Sequence, residues 1–147
     1  MSTDNSYRFV LDCSVTMAWC FKDESNHFSD QVLEQMETAK VVVPAIWPLE
    51  VSNVLLLAKR RKRLSTLQVS SFADALSALS ITVDPSTTTR AMHSIYVLAE
   101  KTKLTIYDAA YLELALREKV PLATLDKDLI KAAKKSHIEL LEVKEAV

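Results

Sequence analysis

The sequence of 147 residues predicts an α/β fold, in which a parallel sheet carries helices on both faces. Short apolar runs alternate along the chain with longer segments whose apolar residues recur at helical spacing, the pattern of strand–helix–strand units. No internal repeat, linker or low-complexity segment interrupts this alternation, and the length is near the commonest size of one domain. We therefore expect residues 1–147 to form one domain, with residues 1–6 as a loose polar tail.

The predicted strands are short apolar runs bounded by a polar residue or a proline. The first run ends at Asp12, the second ends at Pro44, and the third ends at the turn that Asp84 and Pro85 start. The fourth run begins after Pro121. In chain order, the predicted strands are 7–11, 41–43, 81–83, 122–124 and 138–141.

The predicted helices follow the spacing of apolar residues, and four of them begin near a short polar side chain that can accept a hydrogen bond from the first turn. These N-cap residues are Ser14, Ser25, Ser65 and Thr105. In the helix that follows Thr105, Glu113 and Arg117 are expected on the solvent face. In chain order, the predicted helices are 14–20, 25–40, 46–61, 65–79, 86–102, 105–118 and 126–135.

The composition excludes several kinds of phosphate site. The chain has no glycine, although average usage of ~7% would give about ten. Gly-rich phosphate loops and dinucleotide-binding turns need glycine for tight turns and close backbone approach, so a nucleotide-cofactor site of those kinds is excluded. The formal net charge of −1 provides no overall basic field of the kind common in nucleic-acid-binding proteins. Any phosphate must therefore be bound by a metal or by locally placed basic side chains.

The cysteines and the apolar segments favour a cytoplasmic protein. Cys13 and Cys20 match no zinc spacing and, as two free thiols, indicate a reducing compartment. The first apolar run is far shorter than the apolar region of a signal peptide. The longest one, residues 41–49, contains two prolines and does not approach the ~20 residues of a membrane-spanning helix.

Four acidic residues occupy positions that suit a site. Asp12 and Asp126 directly follow predicted strands, where binding sites of open α/β sheets collect. Glu50 lies at the edge of the apolar face of its helix, and Asp108 lies within the buried arc of its own. Ordinary alternatives remain open: Glu50 can be a rim residue that reaches water, Asp108 can belong to a capping box with Thr105, and Asp126 can be a helix N-cap.

Taken together, the four acids favour a divalent metal site. Two charges ~4 Å apart repel by about 4 kcal/mol at an effective dielectric of 20. Four carboxylates therefore cannot all stay ionised in one place without a cation. Hard oxygen ligands with no supporting His or Cys favour Mg²⁺, or Mn²⁺ in its place, over zinc.

Four stretches occur in a recognisable order: FVLDCSV at 9–15, VPAIWPLEVSNVL at 43–55, LTIYDAAYLELA at 104–115 and LATLDKDL at 122–129. In order and spacing over nearly the whole chain, they resemble the PIN-domain nucleases, and within them the VapC-type toxins of type II toxin–antitoxin systems. The resemblance implies a PIN-like three-layer α/β/α fold with a five-stranded parallel sheet and a metal site at its carboxyl edge. It also implies a homodimer, a cognate antitoxin protein and an RNA substrate. The short apolar runs and the missing glycine, described above, predict no membrane partner and no nucleotide cofactor.

The resemblance also assigns roles to individual residues. The acidic tetrad that it implies, catalytic and metal-binding at once, consists of Asp12, Glu50, Asp108 and Asp126. Ser14 and Thr124 would be supporting polar residues that orient the first and last acids. Asp128 would be an additional ligand or a neighbouring group.

The expected activity is that of an endoribonuclease in which a metal-activated water hydrolyses RNA and leaves a 5′-phosphate and a 3′-hydroxyl. A route through the 2′-hydroxyl would need paired histidines, and the three histidines lie in no motif. Arg60 and Arg61, in the basic run 59–63, are expected to contact the RNA backbone, unless they only complement the dipole of a helix C-terminus. Lys131, Lys134 and Lys135 are a second, weaker candidate for such contacts.

Two other classes of function remain as alternatives. The first is a non-catalytic PIN-like module that binds RNA or protein, in which the acids are only caps and rim charges. The second is a phosphoryl-transfer enzyme of similar topology. It is disfavoured because Asp12 is followed by Cys13 and Ser14, where such enzymes need a second acid.

Overall fold

The computed structural model describes residues 8–143, and its strands form one parallel sheet in the order β3-β2-β1-β4. The predicted tail, residues 1–6, lies outside the described residues. Phe9 pairs with Val41 and Val42 pairs with Thr82, while Val10 pairs with both Val42 and Leu122. The strands are β1 Arg8–Leu11, β2 Lys40–Val43, β3 Ile81–Val83 and β4 Leu122–Ala123.

The expectation of a fifth strand at 138–141 is wrong, because this segment forms only a single parallel bridge, between Leu122 and Leu140. Leu122 donates its N–H to the carbonyl of Glu139 and accepts from the N–H of Leu141, both at 2.9 Å. Since β4 has only two residues, it offers little edge on which a further strand could pair. The sheet of the described residues therefore has four strands.

Helices flank this sheet, and most lie where the sequence predicts them. The predicted helix 86–102 is divided by a π turn at Ala91–Ile95, and a short 3₁₀ turn, Lys22–Glu24, follows the first helix. No helix among residues 8–143 is long and apolar enough to cross a membrane. The helices are α1 Cys13–Cys20, α2 His27–Gln35, α3 Trp47–Arg60, α4 Thr66–Ser77, α5 Thr87–Arg90, α6 Tyr96–Thr102, α7 Ile106–Glu118 and α8 Lys127–Lys135.

The predicted helix caps are half correct. Ser65 and Thr105 accept hydrogen bonds of 3.1 Å from the third residues of α4 and α7. Asn26, not Ser25, caps α2, because its side chain accepts from Ser29 N–H at 2.8 Å. Ser14 caps nothing, since α1 already begins at Cys13 and Ser14 lies within its first turn.

The lack of glycine affects how helices end. A left-handed residue after a helix is usually glycine, which has no Cβ to collide with the next carbonyl. Here Lys62, Lys103 and Lys119 hold φ near 60° after α3, α6 and α7, and His137 does so after α8. These turns store backbone strain that glycine would relieve.

Helix α7 is the central helix of the core. Its residues from Ala109 to Ala115 are all buried, and they pack against β1 and β4. Its first turn thereby lies close to the carboxyl ends of both strands, which bring Asp12 and Thr124 to the same place. The expectation that Glu113 is exposed is wrong, because only 5% of it is accessible.

An ion cluster stabilises the buried charge of Glu113. The Arg117 guanidinium donates to Glu113 at 3.0 Å and to Asp84 at 2.6 Å, and Arg90 approaches Glu113 at 3.5 Å. Burial alone would raise the pKa of Asp84, but hydrogen bonds from Arg117, the Ser86 N–H and Thr87 outweigh it and hold that pKa below its ordinary value. The cluster therefore joins the end of β3 to α7.

Candidate functional site

Asp12 lies at the carboxyl end of β1, where its N–H donates to the carbonyl of Ala123 at 3.0 Å. Its side chain is only 4% exposed. Oδ2 accepts two hydrogen bonds, from Ser14 Oγ at 2.6 Å and from Thr124 Oγ1 at 2.8 Å. Burial raises the pKa of Asp12 above its ordinary value, the two hydroxyls oppose this rise, and the nearby charge of Asp126 adds to it.

Ser14 and Thr124 connect Asp12 to the segment that carries Asp126. Thr124 Oγ1 accepts from the Asp126 N–H at 3.0 Å, and Ser14 Oγ accepts from the Leu125 N–H at 2.9 Å. Each hydroxyl thus donates to the Asp12 carboxylate while it accepts from the backbone after β4. This geometry fixes the carboxylate of Asp12 relative to residues 124–126.

Asp126 is also the N-cap of α8. Its Oδ1 accepts from the Leu129 N–H at 3.0 Å, as the alternative interpretation of this residue predicts. A carboxylate has two oxygens, so a cap that uses one of them leaves the other for a further ligand. The capping role and a role in the site are therefore compatible.

Glu50 lies in the first turn of α3, and Tyr111 holds its side chain. The Tyr111 hydroxyl donates to Oε1 of Glu50 at 2.6 Å, and Tyr111 itself is fully buried. Burial raises the pKa of Glu50, the Tyr111 hydrogen bond lowers it, and the charges of Asp12 and Asp108 raise it again. Sequence reasoning missed Tyr111, although its position three residues after Asp108 places both side chains on one side of α7.

A second contact fixes the start of α3. Trp47 Nε1 donates to Thr16 Oγ1 at 3.1 Å, and this hydroxyl donates to the carbonyl of Asp12 at 3.3 Å. Both Trp47 and Thr16 are buried. The turn that carries Glu50 is therefore joined to the residue at the end of β1.

Asp108 is the third residue of α7, and its N–H donates to Thr105 Oγ1 at 3.1 Å. Burial raises the pKa of Asp108 to about 6, with further contributions from the charges of Asp126, Asp12 and Asp128. A hydrogen bond with Thr105 opposes this rise. A pKa near 6 means that the surrounding groups do not fully offset the cost of burying the charged carboxylate near other negative charges.

The four predicted acids and Asp128 thus form one group of interacting charges. Glu50 interacts with Asp12 and Asp108, and Asp108 interacts with Asp12, Asp126 and Asp128. Among residues 8–143, no lysine, arginine or histidine forms an ion pair with any of the four. Neighbouring carboxylates without a paired cation are the donor set that binds a hard divalent ion.

The side chains are not arranged as a finished metal site. Within residues 8–143, no three His, Cys, Asp or Glu side chains lie close enough together to hold one ion. Each carboxylate is held by hydrogen bonds to its own neighbours, so a shared ion requires some of the side chains to rotate. The donors nevertheless fit Mg²⁺ or Mn²⁺, because all are carboxylate or hydroxyl oxygens.

The other predicted or chemically reactive residues lie apart from this group or are inert. Arg60 and Arg61 end α3, so Arg60 is ten residues beyond Glu50 and ~15 Å further along the helix at about 1.5 Å per residue. Cys13 is next to the acids, but burial and the charges of Glu50 and Asp12 raise the pKa of its thiol to about 12. It therefore remains protonated and is no nucleophile.

An apolar groove of about 560 Å³ lies elsewhere, between α3, α4 and β3. Val51, Leu55, Val69 and Leu76 are among the residues that line it, and none of its lining residues is acidic. The groove therefore has no carboxylate to hold a metal ion, and the acidic group is the candidate site.

The chain belongs to the PIN-domain family, whose model matches residues 9–135. PIN domains are nucleases that generally depend on divalent metal ions. Most of the chain is covered by this match, including all four acids and the residues that hydrogen-bond to them. No curated protein matches the sequence.

Solved structures share the fold. PAE2754 from Pyrobaculum aerophilum is 21% identical, with a TM-score of 0.64 over 88% of this chain and 83% of that chain. VapBC2 from Rickettsia felis, bound to a DNA fragment from its promoter, is 17% identical, with a TM-score of 0.62 over 92% and 97%. A toxin–antitoxin complex from Klebsiella pneumoniae is 20% identical, with a TM-score of 0.55 over 81% and 88%.

Proposed function

We propose that the chain is the toxin of a type II toxin–antitoxin pair, a VapC-type endoribonuclease that depends on Mg²⁺ or Mn²⁺. One observation carries the proposal: four acids from separate elements lie near one another without a cationic partner among residues 8–143. Their mutual repulsion contributes to the raised pKa values of Asp12, Glu50 and Asp108. The four acids are Asp12, Glu50, Asp108 and Asp126. Because the chain belongs to a nuclease family, we infer that these acids bind the metal ion that cleavage requires.

The four carboxylates would hold the ion, with Asp128 at its edge. When bound, the ion would supply a water of lowered pKa and a positive charge that stabilises the leaving oxygen. Ser14 and Thr124 orient Asp12, and Tyr111 orients Glu50, so the ligands are positioned before the substrate arrives.

The proposed reaction is hydrolysis of an RNA phosphodiester. The oxygen of water forms a bond to phosphorus, the bond from phosphorus to the 3′ oxygen breaks, and that oxygen takes a proton. The products carry a 5′-phosphate and a 3′-hydroxyl. A histidine-dependent route would instead give a 2′,3′-cyclic phosphate, and no histidine is among the groups that shift the pKa values of Asp12, Glu50 and Asp108.

A non-catalytic PIN-like binding module is the second candidate, and two observations favour it. Asp126 does cap α8, and residues 8–143 include no group of three ligands ready to hold an ion. Calorimetry with Mn²⁺ separates the candidates. Heat of binding that disappears in Asp12→Asn supports the nuclease, whereas no heat in the wild type supports the module.

Cleavage of cellular RNA is the test of the activity. Purified protein is incubated with total RNA in Mg²⁺ or in EDTA, and the new ends are sequenced and tested for phosphate. We expect 5′-phosphate ends in Mg²⁺ only, lost in Asp12→Asn and retained in Asp74→Asn, whose exposed side chain lies on α4. Cyclic phosphate ends, or cleavage that survives Asp12→Asn, would contradict the proposal.

The proposed partners are an antitoxin protein and a second copy of the chain. Two of the structures with the same fold are complexes of a toxin with its antitoxin, which supports the first. Expression together with the product of the adjacent small gene tests this partner: a complex without RNA cleavage is expected. Light scattering of the purified chain tests the homodimer, and a monomeric mass would reject it.

A further inference from the structure

A second cavity, of about 490 Å³, lies between the end of α6, the turn that follows it and helix α8. Its lining is strongly basic, with four lysines against one acid. We call it the lysine groove. The charged residues that line it are Lys101, Lys103, Lys131, Lys135 and Asp128.

The lysines of this groove outnumber the single acidic residue that lines it. Among residues 8–143, none of the four forms an ion pair, and all four are exposed. Lys131 and Lys135 are four residues apart on α8, a spacing that places like charges on one face and costs stability. Such an arrangement is unfavourable in the free protein and becomes favourable when an anion binds.

The backbone brings the other two lysines to the same groove. Lys101 lies in the last turn of α6, and Lys103 ends that helix in the left-handed conformation, with φ 62°. The chain reverses at this point before α7 starts at Ile106, next to the turn that carries Asp108. The end of α6, the turn after it and one face of α8 thus line one cavity.

The groove adjoins the acidic site. Asp128 lines the groove, and its charge also acts on Asp108. Helix α8 begins after Asp126 and carries Lys131 one turn further on. An extended polyanion in the groove would therefore reach the carboxylates of the site without leaving the protein surface.

The basic run 59–63 lacks this relation to the site. Arg60 is ten residues beyond Glu50 along α3. Arg63 is engaged with Asp23 at 3.4 Å and lies 4.2 Å from the centre of the Phe21 ring. The two basic surfaces are thus distinct and can be tested against each other.

We propose that the lysine groove binds the sugar–phosphate backbone of a single nucleic-acid strand and leads it to the acidic site. This inference deepens the proposed function and rests on it, because a groove that leads a strand to the acids serves cleavage only if the acids form a nuclease site. The contacts are to phosphates, so the groove fixes the position of the strand and contributes little to sequence choice.

The test is the salt dependence of RNA binding. A fluorescein-labelled single-stranded RNA of mixed sequence is titrated with the full chain in EDTA, so that no cleavage occurs, and anisotropy gives Kd at several salt concentrations. Each phosphate contact to a single strand contributes about 0.7 to the slope of log K against log salt. For Lys101→Gln/Lys131→Gln we expect the slope to fall by about 1.4 and Kd to rise.

Two control variants make the result specific. Lys101→Arg/Lys131→Arg keeps both charges and should bind as the wild type does. Arg60→Gln/Arg61→Gln removes two charges from the other basic surface and should change the slope less. The replaced side chains are exposed, so we expect every variant to keep the wild-type fold, and circular dichroism checks this.

Several results would overturn the inference: an unchanged slope in the Gln variant, a loss found only in Arg60→Gln/Arg61→Gln, or binding of poly-glutamate without binding of RNA. Cleavage of total RNA in Mg²⁺ reports separately on the proposed function. Normal cleavage by the Gln variant with an unchanged slope rejects the groove alone. Groove-dependent binding by a wild type that cleaves in neither Mg²⁺ nor Mn²⁺ rejects the nuclease alone.

Discussion

Tyr111 donates a 2.6 Å hydrogen bond to Oε1 of Glu50, across 61 residues of sequence and between two helices. The phenol is fully buried, so water does not compete with Glu50 for its hydroxyl. Glu50, held in this way, is near enough to Asp12 and Asp108 for their charges to raise its pKa. Tyr111 is therefore a positioning residue of the proposed metal site.

Tyr111→Phe should weaken metal binding without disturbing the core, because only the hydroxyl is removed. Loss of such a supporting hydrogen bond typically lowers metal affinity or activity by about 10–100-fold. Calorimetry with Mn²⁺ and initial rates of RNA cleavage measure both effects. Tyr107→Phe, on the same helix with 59% of its side chain exposed, is the control. Unchanged Mn²⁺ affinity in Tyr111→Phe would contradict the positioning role.

Asp108→Asn should stabilise the metal-free protein at neutral pH. The pKa of Asp108 rises from its ordinary 3.8 to about 6 in the folded state, so the folded state binds the proton more tightly. Its contribution to stability is therefore fully present below 3.8 and is lost as the pH rises through about 6. Urea unfolding in EDTA should show a more stable variant at pH 7.5. A variant less stable than the wild type there would refute the charge repulsion.

Asp84 should show the opposite pH dependence. Its pKa is lowered in the folded state, so the stability it contributes is present above its ordinary 3.8 and is lost as the pH falls through the lowered value. Urea unfolding of Asp84→Asn between pH 7 and pH 3 measures this. The variant should lose less stability on acidification than the wild type, and an equal loss would assign the pH dependence to other groups.

Arg117→Ala should be strongly destabilising, because it leaves Asp84 and Glu113 buried without their main cation. We expect a loss of about 3 kcal/mol, the low end for breaking a buried pair, since 19% of the Arg117 side chain is exposed. Arg8→Ala removes the exposed pair with Glu118 and should cost no more than about 1 kcal/mol. Denaturant unfolding measures both losses. Equal losses of unfolding free energy in Arg117→Ala and Arg8→Ala would contradict the conclusion that the buried cluster stabilises the fold.

Lys119→Gly should stabilise the protein, an unusual result for a lysine-to-glycine change. Lys119 has φ 56° and ψ 48° after α7, a conformation that costs a non-glycine residue roughly 1–2 kcal/mol. Glycine's greater freedom in the unfolded chain offsets part of this gain, which leaves up to about 1 kcal/mol. Lys59→Gly, within α3, should instead lose about 1 kcal/mol. A lower midpoint of thermal unfolding for Lys119→Gly would disprove the strain.

The sequence alone predicts the features that depend on local pattern. Asp12 and Asp126 are expected to lie together because the carboxyl ends of parallel strands share one edge of a sheet. The caps Ser65 and Thr105 follow from a hydrogen bond within one helical turn. The structure brings Ser14 and Thr124 to Asp12, where the family resemblance expects supporting residues.

What the sequence does not predict depends on how distant elements pack. Glu113 lies on the polar side of α7 by periodicity, yet it is buried, with Arg90 and Ser94 approaching it from other elements. From the sequence, Tyr111 is indistinguishable from any other core residue. Its role depends on the packing of α3, which brings Glu50 to its hydroxyl. The fifth strand fails because pairing needs an edge on β4, and the length of that edge is set by the fold.

The central claim is that Asp12, Glu50, Asp108 and Asp126 bind a divalent ion together. Anomalous diffraction from crystals grown with Mn²⁺ tests it most directly. We predict a manganese peak within coordination distance of Asp12 and at least one of the other three carboxylates, and no such peak in crystals of Asp12→Asn. A map with no peak among these side chains at saturating Mn²⁺ would contradict the account.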